Sequence, residues 1–100
     1  MGQFLYGTPP AVIEIEDRTL AHLQIVIYAK FRRDERFPLT LDAMPEGARG
    51  RHSFWMNPNI ALQFHFAGSR QPTINPAWVE LLMDAANGGG GLRMLPEPHA

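Results

Sequence analysis

The four histidines are the side chains in this 100-residue chain best suited to metal or proton chemistry. His22, His52, His65 and His99 are scattered, and none stands four residues from a second ligand, the spacing that puts two ligands on one helix face. The chain has no cysteine, which excludes a thiolate site and a disulfide alike. No metal and no other cofactor is expected. Glu14, Glu16 and Asp17 form a small acidic cluster, and paired carboxylates can run acid–base chemistry. Here a solvated strand face and a helix cap account for all three. Ser53 and Ser69 lie outside any Gly-x-Ser-x-Gly elbow, so neither is a primed nucleophile. Gly88 to Gly91 follow a helical segment instead of opening one, which suits a hinge and not a phosphate cradle. No catalytic residue is assigned.

The basic residues suggest binding. Lys30, Arg32, Arg33, Arg36, Arg49, Arg51 and Arg70 fall between positions 30 and 70, against Asp34, Glu35, Asp42 and Glu46. If the loops around 34, 48 and 69 converge, Arg32, Arg33, Arg49, Arg51 and Arg70 make a positive rim. Trp55 and His65 on the outward sheet face would complete a surface for nucleic acid or another polyanion. The favoured alternative is a solvated rim of mixed charge around a Trp covered by a helix or a second subunit. Asp34 and Glu35 interrupt the basic run, and the formal net charge is -1.

The elements that must position these groups follow from periodicity. Gln3 to Tyr6 is a short apolar segment. Ala11 to Glu16 alternates Ile13 and Ile15 with Glu14 and Glu16, the pattern of a strand. Asp17 is a natural N-cap for a helix over 17–33, with Leu20, Leu23, Ile27 and Phe31 on one stripe. Ala21, Ile25 and Tyr28 form a second apolar patch. Val26 lies on neither, and His22, Gln24 and Lys30 fill narrow polar gaps. Ile25 to Tyr28 also fits a β-branched strand, but length and the Asp17 cap favour helix. A helix apolar on two sides is buried on two sides, and the second contact is expected from another copy of the chain. Ala21, Ile25 and Tyr28 are therefore the candidate dimer face.

Phe37 to Leu41 is a strand, with Pro38 marking an edge or a strand start. Asp42 to Gly50 is a loop. His52–Met56 and Ile60–Phe66 flank Asn57-Pro58-Asn59 and read as a hairpin, with Phe54 and Met56 inward and Arg51, Ser53 and Trp55 outward. A second helix over 76–87 has Asn75 as N-cap and Pro76 at its first position. Its apolar stripe is Trp78, Leu81, Leu82 and Ala85, and Asn87-Gly88 supplies a left-handed stop. Leu92 to Leu95 is a last short strand. The order β-β-α-β-β-β-α-β predicts an α+β fold, a mainly antiparallel sheet with helices on one face. Residues 1–95 form one domain, and 96–100 read as a flexible C-terminal tail.

Composition sets the class. A hydrophobic share of 45% suits a globular chain and not a disordered one. No apolar run reaches the roughly 18 residues that span a bilayer. The first residues lack a signal-peptide shape, and Tyr6 stands where a myristoylation signal needs Ser or Thr. A soluble, unanchored, cytoplasmic protein is expected, with no membrane partner.

Several blocks carry a resemblance to a known family. They are Met1-Gly2-Gln3-Phe4-Leu5-Tyr6-Gly7, Ile15 to Leu23, Leu62-Gln63-Phe64, Gly68-Ser69-Arg70, Asn75-Pro76-Ala77-Trp78-Val79-Glu80, and Gly91-Leu92 with Pro96-Glu97-Pro98. Over nearly its whole length the chain resembles small actinobacterial proteins of about one hundred residues, grouped as a domain of unknown function. Members often carry the label "ATP-dependent DNA ligase". A nucleotidyl-transferring ligase needs a lysine nucleophile in a Lys-x-Asp-Gly setting. Lys30 is the only lysine, and Phe31-Arg32-Arg33 follows it. An autonomous ligase is excluded, and the label implies at most an accessory role beside DNA ligation or repair. The expected function is a non-enzymatic protein-interaction module acting as a homodimer, with a nucleic-acid-associated accessory protein as the alternative.

Overall fold

The computed structural model of the chain describes residues 1–42 and 50–99. Six strands and two helices follow in the order β1 (Gly2–Tyr6), β2 (Ala11–Ile15), α1 (Asp17–Arg32), β3 (Phe37–Leu41), β4 (His52–Met56), β5 (Leu62–His65), α2 (Pro76–Asn87) and β6 (Leu92–Arg93). The fold is α+β and mainly antiparallel, in the order the periodicity predicts. It has two three-stranded sheets where one was expected, β2-β1-β5 and β4-β3-β6.

The difference lies in the expected hairpin. β4 and β5 do not pair. β4 lies antiparallel to β3, with Leu39 opposite Phe54, and β5 lies antiparallel to β1, with Phe4 opposite Phe64. The connection holds itself together instead of feeding a ladder: Asn57 accepts from Asn59 N at 3.0 Å through its side chain and from Ile60 N at 3.0 Å through its carbonyl. Gly7 N donates to Ala61 O at 2.8 Å, which draws the chain onto β1. Asn57-Pro58-Asn59 lacks the Asn-Gly type of turn that locks a tight hairpin. The Tyr6 hydroxyl then donates across the split to Trp55 O at 2.7 Å.

Pro38 sits in the central strand of its sheet, yet at its start. The parallel pairing to β6 begins one residue later, at Leu39 opposite Leu92, so no ladder bond is lost. Gly91 packs on Pro38. It has φ +78°, and a Cβ there would lie 2.5 Å from the Pro38 carbonyl oxygen. The positive φ expected at Gly88 falls here instead, since Gly88 has φ -83°.

The core joins the two sheets to the two helices. Phe4, Ile13 and Ile15 come from one sheet and Leu39, Leu41, Met56 and Leu92 from the other. Leu20, Leu23, Val26 and Ile27 come from α1, and Trp78, Leu82 and Ala86 from α2. Val26, assigned to neither stripe from sequence, is fully buried. Leu81, expected in the α2 stripe, is 39% exposed, because α2 buries the narrower row Trp78, Leu82 and Ala86. No described helix is long and apolar enough to cross a membrane.

Asn75 caps α2 as expected, its side chain accepting from Ala77 N at 3.0 Å. Asp17 does not cap α1. It is the first helical residue, after Glu16, and its carboxylate reaches across the chain to Gly68 N at 2.9 Å and Ala67 N at 3.0 Å. Those two backbone donors, Gly68 first, hold the Asp17 carboxyl below its ordinary range.

Candidate functional site

Strand alternation leaves one large aromatic side chain on an open sheet face. Along β4, Met56 is buried and Phe54 packs against the core, so Ser53 and Trp55 must point to the opposite face. Trp55 is 57% exposed. Pro38 lies opposite Trp55 on β3, and Thr40 lies between Ser53 and Arg93 of the flanking strands. Ser53 Oγ and Thr40 Oγ1 are 3.0 Å apart, so each hydroxyl meets a hydroxyl and not a base. Both helices pack on the core side, leaving Trp55, Ser53, Thr40 and Arg93 on an outer face that no described helix covers. Arg51 precedes β4 with the parity of Ser53 and Trp55, and it too is exposed.

The edge beside that face is partly closed. Proline opposite Trp55 cannot donate, so this antiparallel pair is of the unbonded kind, and the Trp55 peptide groups point to the free edge of β4. Tyr6 satisfies the carbonyl there. An incoming strand would have to displace that hydroxyl, so the face is a better contact surface than the edge. A shallow cleft of about 380 Å³ runs from Trp55 to Thr8, Asn57 and Asn59, and its lining is uncharged.

The arginines expected to form one rim occupy three places. Arg32 and Arg33 lie at the C-terminal end of α1, where Arg33 pairs with Glu35 at 3.4 Å. Arg51 lies at the far end of the β3–β4 pair, about 13 Å away along four residues of strand. Arg70 lines a groove with Ala21 and Gln24, about 12 Å back along α1 from Arg32. Arg49 lies outside the described residues. His65 is on the outer face of the other sheet, opposite Gln3, so it does not share a sheet with Trp55. Arg93, outside the expected rim, does share one. Of the strand expected over Leu92 to Leu95 only Leu92–Arg93 pairs, and no local pattern shows that Arg93 shares a sheet with Trp55.

The candidate dimer patch has partners within the chain. Ala21 is 4% exposed and borders the groove beside Phe66. Ile25 is half-buried. Tyr28 is 43% exposed, with its ring edge-on to Phe64 at 5.5 Å.

A second cluster of polar side chains is buried, although hydropathy marks its members as exposed. His22 is 0% exposed, at the seam between α1 and α2. Its Nε2 accepts from Asn75 N at 2.9 Å, so Nδ1 carries the proton and donates to Arg18 O at 2.7 Å. The ring lies 4.4 Å from that of Trp78. Two turns along α1, buried Lys30 donates to Asn87 Oδ1 at 2.7 Å and pairs with Glu35 at 3.0 Å. The Lys30 hydrogen bond holds the Glu35 carboxyl below its ordinary range. His22 thus engages the residue that caps the start of α2, and Lys30 engages its last residue.

The C-terminal segment is tied to the same seam. Arg18 grips Glu97 with Nε at 2.8 Å and Nη2 on the second oxygen, and Asn75 Nδ2 adds a bond at 2.9 Å. The Arg18 bond foremost, then that of Asn75, pulls the Glu97 carboxyl down to about 2. Residues 96–98, read from sequence as tail, therefore make defined contacts. Among the described residues no group of three or more His, Asp or Glu could hold a metal ion.

No curated protein and no solved structure matches the chain. Residues 1–97 match one family along nearly the entire chain, and the protein belongs to that family, described as a Domain of unknown function (DUF7882).

Proposed function

We propose that this chain is a non-enzymatic protein-interaction module that acts as a homodimer, joined through the outer face of the β4-β3-β6 sheet. The observation that carries the reading is Trp55, 57% exposed on a sheet face that no described helix covers. A large aromatic side chain contributes on the order of 1.5–3 kcal/mol when fully buried, and a two-fold axis would bury it twice. Trp, Tyr and Arg dominate the energetics of interface centres, and Arg51 and Arg93 are exposed on the same sheet face as this Trp, farther along it. The face around Tyr28 and Ile25 is the competing location. It is the weaker one, because Ala21 is already buried and Tyr28 already packs on Phe64.

The test uses the two tryptophans. Replacing buried Trp78 by Phe leaves Trp55 as the only indole. Its emission should shift to the blue as protein concentration rises through the micromolar range typical of a specific dimer, roughly. Emission of exposed character, unchanged with concentration, would remove the reading. The same shift abolished by Tyr28→Ala would move the interface to α1.

The second reading is a nucleic-acid-associated accessory protein beside DNA ligation or repair. It is favoured by Trp55, Arg51 and Arg93 sharing one open face, an aromatic side chain and two cations spread over the same sheet. Single-stranded DNA that quenches Trp55 at low salt and releases it as salt rises would support this reading. Absence of quenching at low salt would discard it.

A further inference from the structure

We infer that the seam around Arg18, Asn75 and Trp78 is a recognition site for an extended peptide carrying a glutamate between prolines, and that the chain's own residues 94–99 occupy it in cis. Three side chains of the two helices read the segment at three points. The Trp78 indole donates to Leu95 O at 2.9 Å, Arg18 and Asn75 hold the Glu97 carboxylate, and Asn75 Nδ2 also reaches Pro98 O at 3.0 Å. A backbone carbonyl, a charged side chain and a second backbone carbonyl in succession is how a groove reads an extended peptide. Pro96 and Pro98 favour that extended form before binding.

The reading groups also have anchors outside the segment. Arg18 Nη1 is anchored on Thr73 O at 2.7 Å. Asn75 is held by Ala77 N on its side chain and by His22 on its backbone. Trp78 is buried against the His22 ring. Met94 and Leu95 pack against the core, and the rest of the segment is held through side chains of the seam and not by a backbone ladder. β6 ends at Arg93, so no ladder bond continues into it, and Pro96 and Glu97 are exposed. Open space remains on both sides, about 440 Å³ beside Thr73 and Pro98 and about 400 Å³ beside Thr19 and Pro96. Tethering keeps the resident segment at a high effective concentration, on the order of millimolar, so a free peptide enters only when the resident grip is loosened. The partner is therefore a protein segment with an acidic residue flanked by prolines. The inference does not use the Trp55 face.

The experiment compares full-length wild type with Glu97→Ala, using a fluorescent peptide of residues 94–99 and fluorescence anisotropy. Wild type should not bind at about 100 μM peptide, whereas Glu97→Ala should bind saturably in that range, a weak affinity suited to a peptide this short. Adding Arg18→Ala to Glu97→Ala should weaken binding at least about tenfold, as should Glu→Gln within the peptide, because a bidentate charged pair is lost. A folded Glu97→Ala that binds no better than wild type would overturn the inference. So would binding that survives Arg18→Ala. If Glu97→Ala fails to fold, Glu97→Gln keeps the side-chain volume and takes its place. Failure of both variants to fold would also overturn the inference, since the segment would then be a structural part and not a replaceable ligand. A mass increase of Glu97→Ala without peptide would contradict it as well, by making a second copy the occupant.

Discussion

The α1–α2 seam and the outer face of the β4-β3-β6 sheet treat their side chains in opposite ways. At the seam, His22 and Lys30 are buried, and each meets a specific partner at one end of α2. On the sheet face, Trp55 stands in solvent, and Thr40 and Ser53 bond only to each other. The seam fixes how one helix sits on another, and its open rim at Arg18 and Asn75 is already occupied by the chain's own Glu97. The sheet face contributes little to the fold through Trp55 and leaves its apolar area in solvent. Burial with satisfied polar groups marks the part that holds the protein together, and the unburied aromatic area is where we propose a partner docks.

Substitutions at the seam should have the largest effects on stability. His22→Ala empties a fully buried site and orphans the Asn75 N–H, and should cost about 3 kcal/mol in urea unfolding. A cost under about 1 kcal/mol would mean that the seam is not a rigid joint. Asn75→Ala removes the cap on α2 and the bonds to Glu97 and Pro98, and should cost about 2 kcal/mol by the same measurement. Glu97→Gln should act through pH. The folded carboxyl is lowered from 4.5 to about 2, so its contribution is present above pH 4.5 and is lost as pH falls toward 2. Urea midpoints of wild type should decline through that window, and those of Glu97→Gln should decline less. Equal slopes would detach Glu97 from the seam. On the sheet face, Arg51→Ala with Arg93→Ala should change stability by less than about 0.5 kcal/mol, the usual range for exposed positions. Low-salt DNA titration of that pair would then show whether the face has any use for its charge.

Much of this division was readable in the residues. Asn75-Pro76 followed by Trp78 and Leu82 defines α2 by cap and period, and Ile13-Glu14-Ile15 defines β2 by alternation. Met56 inward and Trp55 outward followed from the same two-residue period. The hairpin did not, because local pattern shows that two strands exist and not which neighbours they choose. Gly7, fifty-four residues before Ala61 in sequence, and Tyr6 decide that pairing. His22 and Lys30 read as polar gaps because hydropathy ranks them as exposed, whereas their partners Asn75 and Asn87 stand at the two ends of the other helix. The arginine rim failed for a related reason. Closeness in sequence between positions 30 and 70 covers both ends of a strand pair, and those ends point apart.

Light scattering on wild type and Trp55→Ala at matched concentrations tests the central claim most directly. The account predicts a wild-type mass near twice 11.2 kDa, falling to the single-chain value in Trp55→Ala, with the urea midpoint of the diluted proteins unchanged. A wild type that stays at the single-chain mass, or a variant that keeps the doubled mass, would contradict it.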